Sequence, residues 1–350
     1  MTNSWRLSVP ETALALAALL AGCGERPLAE KTVDELVDEA SAALAVADLA
    51  KAGAAVSNAW LKASSDVDVR LLKAQIDFHA RDYASAAKLF RGIAEDAALD
   101  RKLRAQGWAG LGVVDQCAAD RDTARLDFLR ALRCDRKNAS AWYHLGYIYY
   151  NDYSYFEAAN DCYETFVRLE TTADQRVQKV QRSVIPALRE ARTESILEIP
   201  GSRSPDRAGC TKALQEAEEA LKKKTFKTAR QRYEAALKAD PTSFPAALGM
   251  AKLLAKTDTT AEGKKKTLEY YRLACKLGPS SISTFLAAGE LAVATGNHLT
   301  ARELYSRAVA ADPTNITAID GLIRALRKTN QSRVASAYQL YREFLAVKIK

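Results

Sequence analysis

Histidine is scarce in this chain: three among 350 residues, His79, His144 and His298, each isolated from the others. No His-Glu-x-x-His, Gly-x-Ser-x-Gly or glycine-rich phosphate-loop pattern occurs. No nucleophile with its base, zinc site or phosphate cradle is therefore assembled by spacing. The expectation is a protein that is not an enzyme, with no cofactor, no metal and no small-molecule substrate. His298 follows Gly296 and Asn297, where a polar turn residue is ordinary. Cysteines after position 23 stand at 117, 134, 162, 210 and 275, none in a CxxC or metal-ligand spacing. Cys117 and Cys134 fall near opposite ends of two antiparallel helices, roughly 15–20 Å apart, beyond the about 7 Å between Cα atoms that a disulfide spans. Most cysteines are expected to be small buried hydrophobes. Strand alternation is nearly absent, and past the N-terminus no stretch approaches the roughly 20 apolar residues of a membrane span.

What the chain has instead is repetition. Trp108, Leu111, Gly112 and Ala124 recur as Trp142, Leu145, Gly146 and Ala158, all at one offset of 34 positions. Farther along, Ala229, Tyr233, Ala236 and Pro241 are matched by Ala301, Tyr305, Ala308 and Pro313. A copy between them keeps Tyr271, Ala274 and Pro279, has Thr267 at the alanine position, and carries a longer helix connection around residues 257–265. A last copy runs from Ile319 and Leu322 to Ala337, Tyr341 and Phe344, and a first lies in Asp82, Tyr83, Ala86 and Phe90.

A 34-residue period with Trp-x-x-Leu-Gly resembles the tetratricopeptide repeat family. The resemblance implies an all-α solenoid of antiparallel helix pairs, with small residues where the two helices approach and aromatic residues closing each unit on the next. It covers roughly residues 68–171 and 210–346, with a degenerate pair over 32–64. Departures are the missing proline after Phe90 and after Cys162, and Cys162 itself at an aromatic position.

At the N-terminus, Arg6 precedes an Ala/Leu run that ends in Leu20, Ala21, Gly22 and Cys23. This resembles a bacterial lipoprotein signal, which implies cleavage before Cys23 and its acylation, with residues 1–22 as signal peptide and 23–31 as a lipidated tether. Several acyl chains exceed what stable anchoring needs. Gly24 rather than aspartate after the cysteine is similar to the outer-membrane sorting pattern, so the expected place is the cell envelope, facing the periplasm. An alanine-rich amphipathic helix and a cytoplasmic protein is the alternative.

The remaining chain divides by composition. Residues 32–198 read as an N-terminal array ending in a capping helix, with Val177, Val180, Val184, Leu188 and Ala191 on one face and a kink at Pro186. Residues 199–209 have linker composition, and 210–350 form a second array. Charge is uneven: residues 24–208 hold 26 Lys/Arg against 29 Asp/Glu, residues 209–350 hold 24 against 13. The lysine runs 222–224 and 264–266 near helix ends read most simply as a solvated face. Such a surface attracts acidic partners, anionic lipid or nucleic acid, and export would exclude most of the last.

In the resembled family the first helix of each repeat lines a groove. Tyr143, Tyr147 and Tyr150 share a face that the repeat signature does not require, and Ala109, Val113 and Gln116 are the matching positions one repeat earlier. Lys252, Lys256, Arg324, Arg327 and Lys328 are the basic-groove candidates, interrupted by Leu286, Glu290 and Val293. The implied function is a membrane-anchored protein-interaction scaffold that binds proteins or peptides. The alternatives are a soluble adaptor with a basic face, and a glycan-binding or cell-wall accessory module.

Overall fold

A computed structural model describes residues 27–153, 155–170, 175–202, 204–278 and 281–347, and Cys23 with its signal lies outside them. Among the described residues there is no strand. No helix among them is long and apolar enough to cross a membrane. After a 3-10 turn at Leu28–Glu30, helices follow in pairs: α1 (Val33–Ala45) and α2 (Leu49–Ala63), α3 (Val67–His79) and α4 (Tyr83–Ala94), α5 (Arg101–Cys117) and α6 (Arg121–Cys134), α7 (Ala139–Asn151) and α8 (Phe156–Leu169). Then come α9 (Gln175–Lys179), a π-helical turn Val180–Val184 and α10 (Ile185–Leu197). The later pairs are α11 (Arg207–Lys222) and α12 (Phe226–Ala239), α13 (Phe244–Thr257) and α14 (Ala261–Leu277), α15 (Ile282–Ala294) and α16 (His298–Ala311), α17 (Ile316–Lys328) and α18 (Ser332–Ala346). This is the all-α solenoid of antiparallel helix pairs.

The chain forms two compact units. The first holds described residues 27–152, 162–170 and 175–183; the second holds 153, 155–161, 184–202, 204–278 and 281–347. Residues 199–209, expected as the join, thus fall within the second unit. They are held there by Asp206, whose N–H donates to the Ala239 carbonyl at 2.8 Å, and by the burial of Ser202. Pro186, where a kink is expected, is the second residue of α10, directly after the π-helical turn, at a helix start where its missing N–H is tolerated. Val177, Val180 and Leu188 on that face are buried.

One packing device explains the repeat. A first-helix glycine receives an aromatic ring from a second helix, and a Cβ there would sit 2.9 Å from Phe128 at Gly112, 3.2 Å from Tyr163 at Gly146 and 2.9 Å from Tyr305 at Gly289. Other first-helix glycines receive the ring of the preceding pair: Gly110 takes Phe90, Gly249 takes Tyr233 and Gly321 takes Tyr305. Tyr305, 1% exposed, is therefore clasped by glycines of two helices. Truncating a ring so enclosed costs about 3–5 kcal/mol.

The structure corrects three register expectations. The α7–α8 connection has one residue more than α5–α6, so Ala159 and Tyr163, in place of Ala158 and Cys162, occupy the positions of Ala124 and Phe128. The aromatic thought to be missing is present one residue on. The extra residues near 257–265 do not lengthen a loop. They are absorbed into α14, which has 17 residues against 14 in α12 and in α16. In α18 the buried set is Ala335, Tyr338 and Tyr341, with Ala337 and Phe344 only half-buried.

Connections repeat as well. Between pairs, Asp135, Asp240 and Asp312 each accept the N–H two residues on, at 2.9 Å, an Asx turn that leads into the next first helix. Within pairs, a left-handed residue precedes the N-cap of the second helix: Ala47, Arg81, Ala119, Lys224, Gly296 and Asn330 all have φ between 59° and 74°. Cys134, Cys162, Cys210 and Cys275 are buried and Cys117 is exposed, and none of the five is in a disulfide.

Candidate peptide-docking surface

Helix α7 starts at the Asn138 cap, whose Oδ1 accepts the Ala141 N–H at 2.9 Å. Leu145 and Tyr149 go to the core, and Trp142 donates its Nε1–H to the Arg136 carbonyl at 2.8 Å. That leaves Tyr143, Tyr147 and Tyr150 on another face, where the structure separates them. Tyr143 is half-buried, its ring centroid 5.1 Å from Phe166 and 5.9 Å from Tyr163 of α8, and the Arg176 guanidinium of α9 lies 5.5 Å from both the Tyr143 and the Phe166 rings. It is a packing residue, held by the helix that follows the pair. Tyr147 is 39% exposed and Tyr150 half-buried. Burial, with the phenols of Tyr143, Tyr147 and Tyr150 and the Cys162 thiol, holds the Tyr163 hydroxyl far above the ordinary tyrosine range.

Beneath this shelf His144 is 5% exposed and stacks on Phe128, centroids 5.3 Å apart and planes 16° apart. Burial, and secondarily the Arg176 charge, pushes its imidazole down to about 3. It is neutral at any physiological pH and serves as packing. On the neighbouring first helix α5, Ala109 is buried, whereas Val113 and Gln116 are half-buried. The Gln116 Oε1 is buried with no hydrogen-bond donor. The exposed aromatic surface is thus Tyr147, bordered by half-buried Tyr150 and by half-buried Val113 and Gln116 on α5. Sequence reasoning missed Tyr163 and Arg176, whose approach to Tyr143 no helical periodicity reveals.

A polar cluster lies deeper in the first unit. Asp127 of α6 is 1% exposed and pairs with Arg130 at 2.5 Å, while the Arg130 guanidinium lies 4.9 Å from the Trp108 ring. Burial and the Asp115 carboxyl raise Asp127 well above the carboxylate range, against the pull of Arg130. Asp127 accepts from Arg130 through Oδ1 only, and its Oδ2 is buried with no hydrogen-bond partner among the described residues.

In the second unit the basic-groove candidates stand on α13 and α17, with Leu286, Glu290 and Val293 on the intervening α15. All five are exposed. Two are engaged: Arg324 hydrogen-bonds Tyr305, and the Lys256 Nζ lies 5.3 Å from the centre of the Phe226 ring. Lys252, Arg327 and Lys328 make no ion pair or ring contact among the described residues. No group of acidic, histidine or cysteine side chains able to hold a metal occurs among the described residues.

No protein-family model matches the chain, and no curated protein matches it. Solved structures similar to it include MamA, at 14% identity and TM-score 0.30 over 67% of this chain and 94% of that one. Another is YrrB, described as a TPR protein with an unusual peptide-binding site, at 16% identity and TM-score 0.27 over 67% and 98%. A third is the APC/C hetero-tetramer Cut9–Hcn1, at 15% identity and TM-score 0.32 over 90% and 73%. Superpositions at this level are too loose to transfer a site, and the fold class rests on the helix pairs and their ring-into-glycine contacts.

Proposed function

We propose that this chain is a lipid-anchored, non-catalytic scaffold of the bacterial cell envelope, facing the periplasm from the outer membrane, that docks protein or peptide partners on the first helices of its pairs. The observation that carries the docking reading is exposed Tyr147, with Tyr150, on a first helix whose remaining aromatic residues are immobilised from behind. Tyrosine offers rigid apolar area and a hydroxyl at low entropic cost. The Leu20-Ala21-Gly22-Cys23 sequence, followed by Gly24, supports the anchor and the envelope location. In this reading the net positive second unit favours acidic partners and speeds their encounter.

Two measurements test the two halves separately. The mature N-terminal mass and membrane fractionation of wild type and Cys23→Ala read the anchor; an unprocessed, soluble chain refutes it and returns the protein to the cytoplasm. Cross-linking from position 147, with binding of the captured partner compared between wild type and Tyr147→Ala/Tyr150→Ala, reads the surface. Affinity is expected to fall by about 2 kcal/mol, near 30-fold, with melting unchanged. Unaltered binding in the double variant refutes the docking site.

A further inference from the structure

Within the second unit each helix runs antiparallel to the next, so the connections inside pairs share one end of the stack and those between pairs share the other. The inside-pair end differs chemically between the two units. In the first unit the caps of the second helices are Asp48, Asp82 and Asp120, each accepting the N–H three residues on. At the same position the second unit has Thr225, Thr260, Asn297 and Gln331, all uncharged, and neither Thr225 nor Gln331 makes a side-chain cap bond. Aspartate caps at least as well as threonine and complements the helix dipole. Helix stability does not explain its removal.

Lysines flank the same connections: Lys222 ends α11, Lys223 and Lys224 lie between α11 and α12, and Lys227 is in the first turn of α12; Lys256 is in the last turn of α13, and Lys264, Lys265 and Lys266 are near the start of α14. Their placement works against the fold. Lys224 adopts φ 59°, where glycine is cheaper. Lys227 and Lys264 lie in the first turns of helices, where a cation opposes the dipole. The three residues by which α14 exceeds its counterparts extend this lysine-bearing helix by about 4.5 Å. No ion pair within 4.0 Å joins any of these lysines to a carboxylate among the described residues, although the Lys266 charge, after the Thr260 hydrogen bonds, helps hold the Asp258 carboxyl below its ordinary range. Farther along the same end, Leu299 in the first turn of α16 is 62% exposed, and Arg327 and Lys328 close α17.

We infer that this end of the second unit is a docking surface for a bilayer rich in anionic lipid headgroups. The composition favours a membrane over nucleic acid or an acidic peptide. Of the charges named, all but Arg327 are lysines, long-stemmed point charges suited to a diffuse field more than to a bidentate grip on a single phosphate. The exposed non-polar member is an aliphatic residue able to enter the headgroup boundary, whereas Phe226, the aromatic available for base stacking, is half-buried beneath Lys256. The inference goes beyond the proposed scaffold function and does not require acylation of Cys23.

The test is co-sedimentation of the full chain with vesicles of phosphatidylcholine alone and of equimolar phosphatidylcholine and phosphatidylglycerol. Phosphatidylcholine reads whatever the N-terminus contributes; the increment with phosphatidylglycerol reads the lysine end. Lys223→Gln/Lys266→Gln is compared with Lys212→Gln/Lys238→Gln, two exposed lysines toward the opposite end, so that net charge is equal in both variants. Each lysine near an anionic surface contributes about fivefold in partitioning, so the first pair lowers the increment about 25-fold and the second leaves it nearly unchanged. Leu299→Ser lowers it about tenfold, and salt that shortens the Debye length to about 3 Å abolishes it. Equal losses in the two lysine pairs, or no preference for phosphatidylglycerol, overturn the inference. N-terminal mass reports acylation in the same samples, so its presence or absence is scored independently.

Discussion

Replacing glycine by alanine should have opposite signs at two positions of the first unit. Gly53 lies inside α2, and an added methyl group there would meet nothing within 4 Å. Gly107 lies inside α5, where the same methyl would sit 2.6 Å from the Ala94 nitrogen and 2.9 Å from the Phe90 carbonyl oxygen, both backbone atoms of α4. At Gly53 alanine restores helix propensity without contact cost, so Gly53→Ala gains about 0.5–1 kcal/mol. At Gly107 the propensity gain is the same, but α4 and α5 must separate by nearly 1 Å to recover ordinary contact distance. Overpacking of that kind costs about 1–3 kcal/mol, more when backbone must move, so the net loss is about 1–2 kcal/mol. In a unit of this size a 1 kcal/mol change moves Tm by about 2–4 °C. Thermal unfolding of the two variants and wild type, followed by circular dichroism at one protein concentration, separates them. Shifts of the same sign refute the contact-based account, since propensity alone predicts two increases.

Other consequences are testable in the same assay. Because the folded-state value of His144 is depressed to about 3, protonation is resisted in the fold, and the first unit loses stability as pH falls below 6.5, by about 2 kcal/mol at pH 5. His144→Phe, which keeps the stack on Phe128, should flatten that acid limb, and an unchanged limb would show that other groups control it. Asp127 has the opposite sign: its folded-state value is raised, so its stabilising contribution is present below about pH 4 and is lost as pH climbs toward the raised value. Asp127→Asn should lessen the loss of stability between about pH 4 and about 8. At the left-handed turn residue Lys224, substitution by glycine relieves about 1 kcal/mol of backbone strain, so Lys224→Gly raises Tm although it removes a charge from the proposed membrane face. Finally, Tyr143→Ala should lower Tm by several degrees, because its ring is packed by Tyr163, Phe166 and Arg176, whereas Tyr147→Ala should not.

The repeat was legible because each of its marks answers to one steric demand. A glycine recurs 34 residues on because an aromatic ring must enter beside it, and that demand is local enough to survive in spacing alone. What spacing could not show was the length of connections. One additional residue between α7 and α8 moved the packed ring from position 162 to Tyr163, and the residues inserted before Lys264 became helix because nothing in that stretch forbids helical φ and ψ. Helical periodicity likewise placed Tyr143, Tyr147 and Tyr150 on one face correctly, yet a face is not a free surface until every approaching element is known. Arg176, 33 residues after Tyr143, is the element that decides it. The lysine runs failed to speak for the same reason in reverse. Read singly, Lys222–Lys224 and Lys264–Lys266 are solvated helix ends. They become one surface only when antiparallel pairing brings alternate connections to the same side, and when the aspartate caps of the first unit show that the position itself does not call for positive charge. Chemistry at a connection is therefore the part of a helical repeat that packing constrains least, and it is where two arrays built on one signature can acquire different partners.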